Sequence, residues 1–131
     1  MKRKLLLTGT LFALLSVLAG AFGSHALKQF LLPEDLTVYE TAVRYQMYHA
    51  VAILFTALFM NESNAKLTRL AGILFTSGII FFSGSLYLLT YLKSQGISVP
   101  LPVALATPLG GMMFACGWLT LAISIFKFKS D

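Results

Sequence analysis

Four times along this chain a long run of residues carries no Lys, Arg, Asp or Glu. The first run spans Leu5 to Leu27, the second Tyr45 to Asn61 and the third Leu70 to Leu92, and the fourth follows Lys93 as far as Phe126. A bilayer core of about 30 Å is crossed by about 20 helical residues at about 1.5 Å rise each. Runs of this length therefore predict membrane spans. Composition agrees: of 131 residues, 57% are hydrophobic and 11% charged, where soluble domains carry about 25% charge. A single domain this small has too little interior to hide so much apolar surface from water. An ordinary soluble enzyme, a disordered tail and a disulfide-stapled secreted module are all excluded.

The expected architecture is all-α: an integral membrane four-helix bundle in one domain, with spans at about 5–27, 40–60, 70–92 and 108–126. Pro100, Pro102 and Pro108 interrupt the start of the last run, so its spanning part is placed from Pro108 to Phe126. The 94–107 loop is apolar and proline-rich, and surface and re-entrant placements both stay open. The first run also resembles a signal peptide, with Lys2-Arg3-Lys4 before it and Ala19-Gly20-Ala21 as a cleavage candidate. Its apolar part outlasts a usual signal core, so it is read as a retained helix. The second helix is expected to begin at Pro33, because proline loses no needed N–H in the first turn and Glu34 and Asp35 suit the positive helix end.

Orientation follows from the cations. Lys2, Arg3, Lys4, Lys66, Arg69, Lys127 and Lys129 fall on one side of such a bundle, and Lys28, Arg44 and Lys93 on the other. Seven against three puts both termini in the cytoplasm of a multi-pass protein of the bacterial plasma membrane. The net charge of +5 is then a matter of orientation and of anionic lipid headgroups, and no basic face with interleaved aromatics points to nucleic acid. Cys116 stands alone in an apolar run and reads as a small buried hydrophobe. Ser16, Gly20 and Ser24, Gly72 to Ser85, and Gly110 to Gly117 supply the small residues that let helices approach in lipid, within the bundle or between subunits. Tyr39, Tyr45, Tyr48, Tyr87 and Tyr91 read as an aromatic belt near the outer ends of the spans.

The candidate site is a polar cluster at the outer leaflet: His25, Glu40, Arg44, Tyr48 and His49. Glu40, Arg44 and Tyr48 are four apart and share a helix stripe, and Glu before Arg is the favourable order for an ion pair. Under the inside/inside topology His25, at the end of the first span, meets them at the same depth. Ionisable groups at membrane depth mark a functional site by default, while a structural clasp between the first two helices is the competing reading and carries more weight near the interface. His25 and His49 are the two residues able to ligate a haem, but paired histidines in a bundle are more often hydrogen-bonded groups. Glu40 alone would join them at a metal. No cofactor, no metal and no catalytic residues are expected, since Gly-x-Ser-x-Gly, His-Glu-x-x-His and phosphate-loop motifs are absent.

Gly20-Ala21-Phe22-Gly23-Ser24-His25-Ala26-Leu27, Thr41-Ala42-Val43-Arg44-Tyr45-Gln46-Met47-Tyr48-His49-Ala50, Phe81-Phe82-Ser83-Gly84-Ser85-Leu86-Tyr87 and Pro108-Leu109-Gly110-Gly111 through Gly117-Trp118-Leu119 follow in order. Together they resemble the domain-of-unknown-function 423 family of small bacterial inner-membrane proteins (YgdD/YwdK-like), over essentially the whole chain. Ser24 departs from the alanine expected there. The resemblance implies a four-helix membrane protein and brings no activity and no functional residues. The function expected is therefore a non-enzymatic structural or accessory component of the membrane. Its partners are lipids, with a homo-oligomer or a partner membrane protein left open. The alternatives are a small oligomeric transporter or channel for an ion or small molecule, although Leu5 to Phe22 lacks the deep acidic residue such exporters use, or a lipid- or quinone-binding protein using a cleft beside His49 and Tyr48.

Overall fold

The computed structural model of the chain describes residues 1–128. Four long helices follow one another: α1 (Lys2–His25), α2 (Pro33–Phe59), α3 (Ala65–Ser94) and α4 (Leu101–Phe126), with a short 3₁₀ turn at Leu27–Gln29 and no strand among the described residues. Lys129, counted above with the first set of cations, lies outside the described residues. The all-α helical bundle is as expected, and α1, α3 and α4 are each long and apolar enough to cross a membrane. The remaining helix, α2, has the length, but Glu40 and Arg44, with Gln46 and His49, lower its apolar character.

Local sequence sets the ends. Pro33 occupies the first turn of α2 with Glu34 and Asp35 beside it. The turn after α2 closes on two asparagines: Asn61 N–H donates to Asn64 Oδ1 at 2.8 Å and Asn64 N–H returns to Asn61 Oδ1 at 3.1 Å. α3 stops at Gly96, whose φ of 68° only glycine adopts freely, and Ile97 N–H closes back on the Leu92 carbonyl at 2.9 Å. The last helix begins at Leu101, seven residues before the expected Pro108. Pro102 sits in the first turn, where no N–H is needed, and Pro108 is carried inside the helix, as spans tolerate when neighbouring groups compensate. The loop left open in the sequence thus shrinks to the residues between Ser94 and Leu101.

The helices run up, down, up and down. α1 packs chiefly on α2 and α4 chiefly on α3, so that α2 and α3 form the middle of the bundle. Pairings along α1 and α2 fix their opposed directions: Lys2 Nζ donates to the Leu58 carbonyl, Gln46 Nε2 to Phe12, Ser16 Oγ to Val43 and Tyr39 OH to Ala19. α2 therefore covers the same height as α1. At one end the ring of Phe59 meets that of Phe128, with centroids 5.2 Å apart, so the first residues, the 61–64 turn and the end of α4 share that end. At the other, Lys93 pairs with Asp35 at 3.2 Å. Phe75, Ile53 and Ile79 are fully buried at the centre, with Leu5, Phe114 and Leu121 around them.

α3 is interrupted by a π-helical turn over Ile79–Ser83. There Ser83 Oγ donates to the Ala42 carbonyl at 2.8 Å, and a Cβ on Gly110 of α4 would overlap the backbone nitrogen of Phe82. π turns inside helices recur at functional sites. This one falls where α2, α3 and α4 meet.

Candidate functional site

The inward face of α2 runs through Asp35, Tyr39, Ala42, Gln46, His49, Ile53 and Thr56, all buried. These residues alternate four and three apart, the spacing that keeps one helical seam against its neighbours. Successive helical residues turn by about 100°, so this seam leaves Glu40, Arg44 and Tyr48 facing away from the bundle. Glu40 and Arg44 are exposed, and Tyr48 is 57% exposed.

His49 lies near mid-height and not at the outer end. Its ring is 5% exposed and lies flat on Phe114 of α4, with centroids 3.4 Å apart and planes at 5°. Phe75 of α3 closes the other side at 5.7 Å. Nδ1–H donates to the Tyr45 carbonyl at 2.7 Å, and Nε2 accepts from Trp118 Nε1–H at 3.2 Å. Trp118 packs edge-on against Phe75 while leaving half its surface on the outside of the bundle. Both ring nitrogens are thus engaged, and the tautomer is set: the proton resides on Nδ1. Neither nitrogen is left for a metal or for proton transfer.

The five residues expected at one outer-leaflet cluster are therefore separated. His25 is exposed at the end of α1. Glu40 and Arg44 line one shallow cleft with Gly20, Gly23 and Ser24 of α1, yet form no ion pair: Asp35–Lys93 is the ion pair found among the described residues, and the Arg44 guanidinium reaches Thr41 Oγ1 at 3.4 Å. His49 is committed to α4 on another face. The aromatic belt needs a similar correction. Tyr39 and Tyr87 turn inward, their rings 5.3 Å apart, and Tyr45 stacks on Phe82, so that Tyr48 and Tyr91 are the strongly exposed pair. Among the described residues no three of His, Cys, Asp and Glu stand close enough to hold a metal ion. Cys116 is exposed rather than buried.

A second polar feature was not expected. Gln46 joins three helices: its Nε2 donates to Phe12 of α1, and its Oε1 accepts from Tyr87 OH of α3 at 2.9 Å. Above this pair α1 and α3 stand apart, leaving a groove of about 410 Å³ walled by Phe12, Leu15, Ala19, Ile79, Ile80 and Gly84, with Gln46 and Tyr87 also lining it. A smaller hollow of about 180 Å³ shares Tyr87 and continues past Tyr39 and Phe22 to Tyr91 and Ser94. This groove lies on the α1–α3 side, away from His49 and Tyr48, beside which a cleft was expected. An amide inside an apolar run, in step with Ala42, His49 and Ile53, is the signal that marks Gln46 in the sequence. Phe114 and Trp118, four apart and interleaved with Gly110 and Gly117, mark the matching face of α4.

Comparison with known proteins gives one consistent relationship. The family described as "Protein of unknown function (DUF423)" matches residues 19–111. The chain is 38% identical over 130 residues to a UPF0382 membrane protein of Haemophilus influenzae, covering 99% of both chains. It is 37% identical over 123 residues to one of Staphylococcus haemolyticus, covering 94% of this chain and 95% of the other. To YwdK of Bacillus subtilis, also a UPF0382 membrane protein, it is 36% identical over 124 residues, covering 94% and 96%. No solved structure matches the chain.

Proposed function

The chain belongs to the DUF423 family of proteins of unknown function, with UPF0382 membrane proteins as relatives, and on that footing we propose that it is a non-enzymatic structural or accessory component of the bacterial plasma membrane. In this reading all four helices cross the bilayer, α2 included, since it runs beside α1 over the same height and its polar groups face the bundle. The end that holds Lys2, Arg3, Lys4, Lys66, Arg69 and Lys127 is cytoplasmic, because cations concentrate on the inner side. Tags at the two termini should both resist protease added to intact spheroplasts. Digestion of either refutes the placement.

One observation carries the non-enzymatic reading: His49, the best-placed base in the bundle, spends both nitrogens and its ring face on holding α2 to α4. The test is complementation. Apolar replacement of the pair, His49→Phe with Trp118→Phe, should still restore a deletion strain in growth competition wherever the variant folds. A folded variant that fails would assign chemistry to the imidazole.

A second reading is supported by the α1–α3 groove: one hydrocarbon tail of a lipid or an isoprenoid quinone lies in it. Its volume of about 410 Å³ falls within the range of about 300–1,000 Å³ usual for ligand clefts, and Gln46 and Tyr87 put the one polar spot on an apolar lining. Native mass spectrometry of the purified chain should show a retained amphiphile, displaced by Gly84→Trp. Unchanged retention in that variant counts against the groove.

A further inference from the structure

Arg44 is an exposed charge within the span read for α2. On the reading above that α2 crosses the bilayer, its level is set by the neighbouring Val43, whose carbonyl accepts from Ser16 Oγ at 2.8 Å. Ser16 is the midpoint of the charge-free run 5–27 of α1. Counted along α2, Arg44 lies about 16 Å from Pro33 at about 1.5 Å per residue. Glu40 is one turn away on the same outward stripe, and Tyr48 is one turn further on the other side. Charged groups at such depth face a bundle interior or a water-filled cavity and find partners there. Here both are exposed, and among the described residues neither forms an ion pair, the Arg44 guanidinium reaching only Thr41 Oγ1 at 3.4 Å.

We propose that the α1–α2 face bearing Glu40, Arg44 and Tyr48 is the contact with a second copy of this chain. The stripe is self-complementary. In a two-fold pair about the membrane normal the two α2 helices run parallel, and the Arg44 side chain of one copy reaches one turn, about 6 Å, along the axis to Glu40 of the other, twice by symmetry. The surface is also shaped for close approach. Gly20 and Ser24 of α1 border the charged pair in a cleft of about 210 Å³, and the inward bonds of this region are made by Ser16 and Tyr39 instead. Small residues beside polar ones are what let helices associate in lipid, where apolar side chains alone give no drive. A lone chain would expose both charges to acyl tails, whereas the pair buries and neutralises them.

The experiment uses the full chain in nanodiscs, with Cys116→Ser as background. Tyr48→Cys should form a disulfide-linked dimer on oxidation, while Leu119→Cys on the far helix should not. Arg44→Glu and Glu40→Arg should each weaken dimerisation by roughly a hundredfold, because like charges then meet in a low dielectric. The double swap restores the pair and should restore the dimer, which separates a lost contact from a lost fold. A monomeric wild type, single swaps without effect, a double swap that folds but stays monomeric, or cross-linking at position 119 instead of 48 each overturns the proposal. A Tyr48→Cys chain that reacts freely with a membrane-impermeant maleimide refutes the crossing of α2 itself. An unreactive monomer refutes the dimer alone.

Discussion

Trp118 and His49, 69 residues apart in sequence, share the hydrogen bond that ties α4 to α2 at the middle of the bundle, with indole Nε1 donating to imidazole Nε2 across 3.2 Å. The Tyr45 carbonyl accepts a hydrogen bond from Nδ1–H at the other side of the ring. The pair of partners specifies one neutral tautomer. Nitrogen-15 spectra of histidine-labelled protein should show His49 protonated at Nδ1 and bare at Nε2, with a histidine at the exposed position 25 sampling both forms. A proton found on Nε2 of His49 would contradict the bond.

Removing either partner should cost stability unequally. Trp118→Phe keeps the edge contact with Phe75 but orphans Nε2, a loss of about 1–2 kcal/mol. His49→Ala also opens a void against Phe114, for about 2–4 kcal/mol. Urea or thermal unfolding in detergent measures both. The two losses should not add in the double variant, since the shared bond disappears with either residue.

How much of this was legible beforehand follows from what each feature depends on. Helix positions depend on runs of apolar residues, which are local: α1 covers Lys2–His25 where the run is 5–27, and α3 covers Ala65–Ser94 where the run is 70–92. α4 begins early because Pro102 lies in a first turn, and a proline's cost depends on its position in a helix whose start is not yet known. The site depended on the rotation of α2. The ionic stripe Glu40–Arg44–Tyr48, expected to converge with His25 and His49, lies nearly opposite the buried seam of α2 at about 100° per residue. The four-three spacing of Tyr39, Ala42, Gln46, His49, Ile53 and Thr56 contains the correct rotation. Trp118 as the partner of His49 was not legible, because that contact exists only once α2 and α4 are oriented against each other.

Gly110 and Gly84 should respond oppositely to the same methyl group. A Cβ at Gly110 runs into the backbone of Phe82 in the π turn, which cannot swing aside, whereas at Gly84 it meets nothing within 4 Å. Gly110→Ala should lose about 3 kcal/mol or fail to assemble, at or above the upper end of overpacking costs. Gly84→Ala should be neutral or slightly stabilising, since alanine is the better helix former by about 1 kcal/mol. Comparing melting temperatures of the two variants checks the packing directly.

Gln46 should matter more than its partner Tyr87. Tyr87→Phe removes one donor and leaves Oε1 of Gln46 beside a groove, for about 1 kcal/mol. Gln46→Leu frees both the Phe12 carbonyl and the Tyr87 hydroxyl and breaks the link among three helices, for about 2 kcal/mol on the same scale. Equal losses in the two variants would mean that the Gln46–Phe12 bond contributes nothing.

The ion pair between Asp35 and Lys93 should be asymmetric, because its ends are buried differently. The Lys93 side chain is 46% exposed and that of Asp35 only 10%. Asp35→Asn releases an ammonium that water can solvate at once, and an amide in the first turn of α2 can still meet the free N–H groups there, so about 0.5–1 kcal/mol is expected. Lys93→Met strands a mostly buried carboxylate. The positive end of α2 offsets part of that, worth about 0.3–1 kcal/mol, which leaves a loss of about 1–2 kcal/mol. Combining the two substitutions should recover stability relative to Lys93→Met alone, since the neutral amide no longer needs a cation. Chemical unfolding of the three variants at one salt concentration decides it: a larger loss for Asp35→Asn than for Lys93→Met would mean that the carboxylate is solvated and that the pair does not hold α2 to α3.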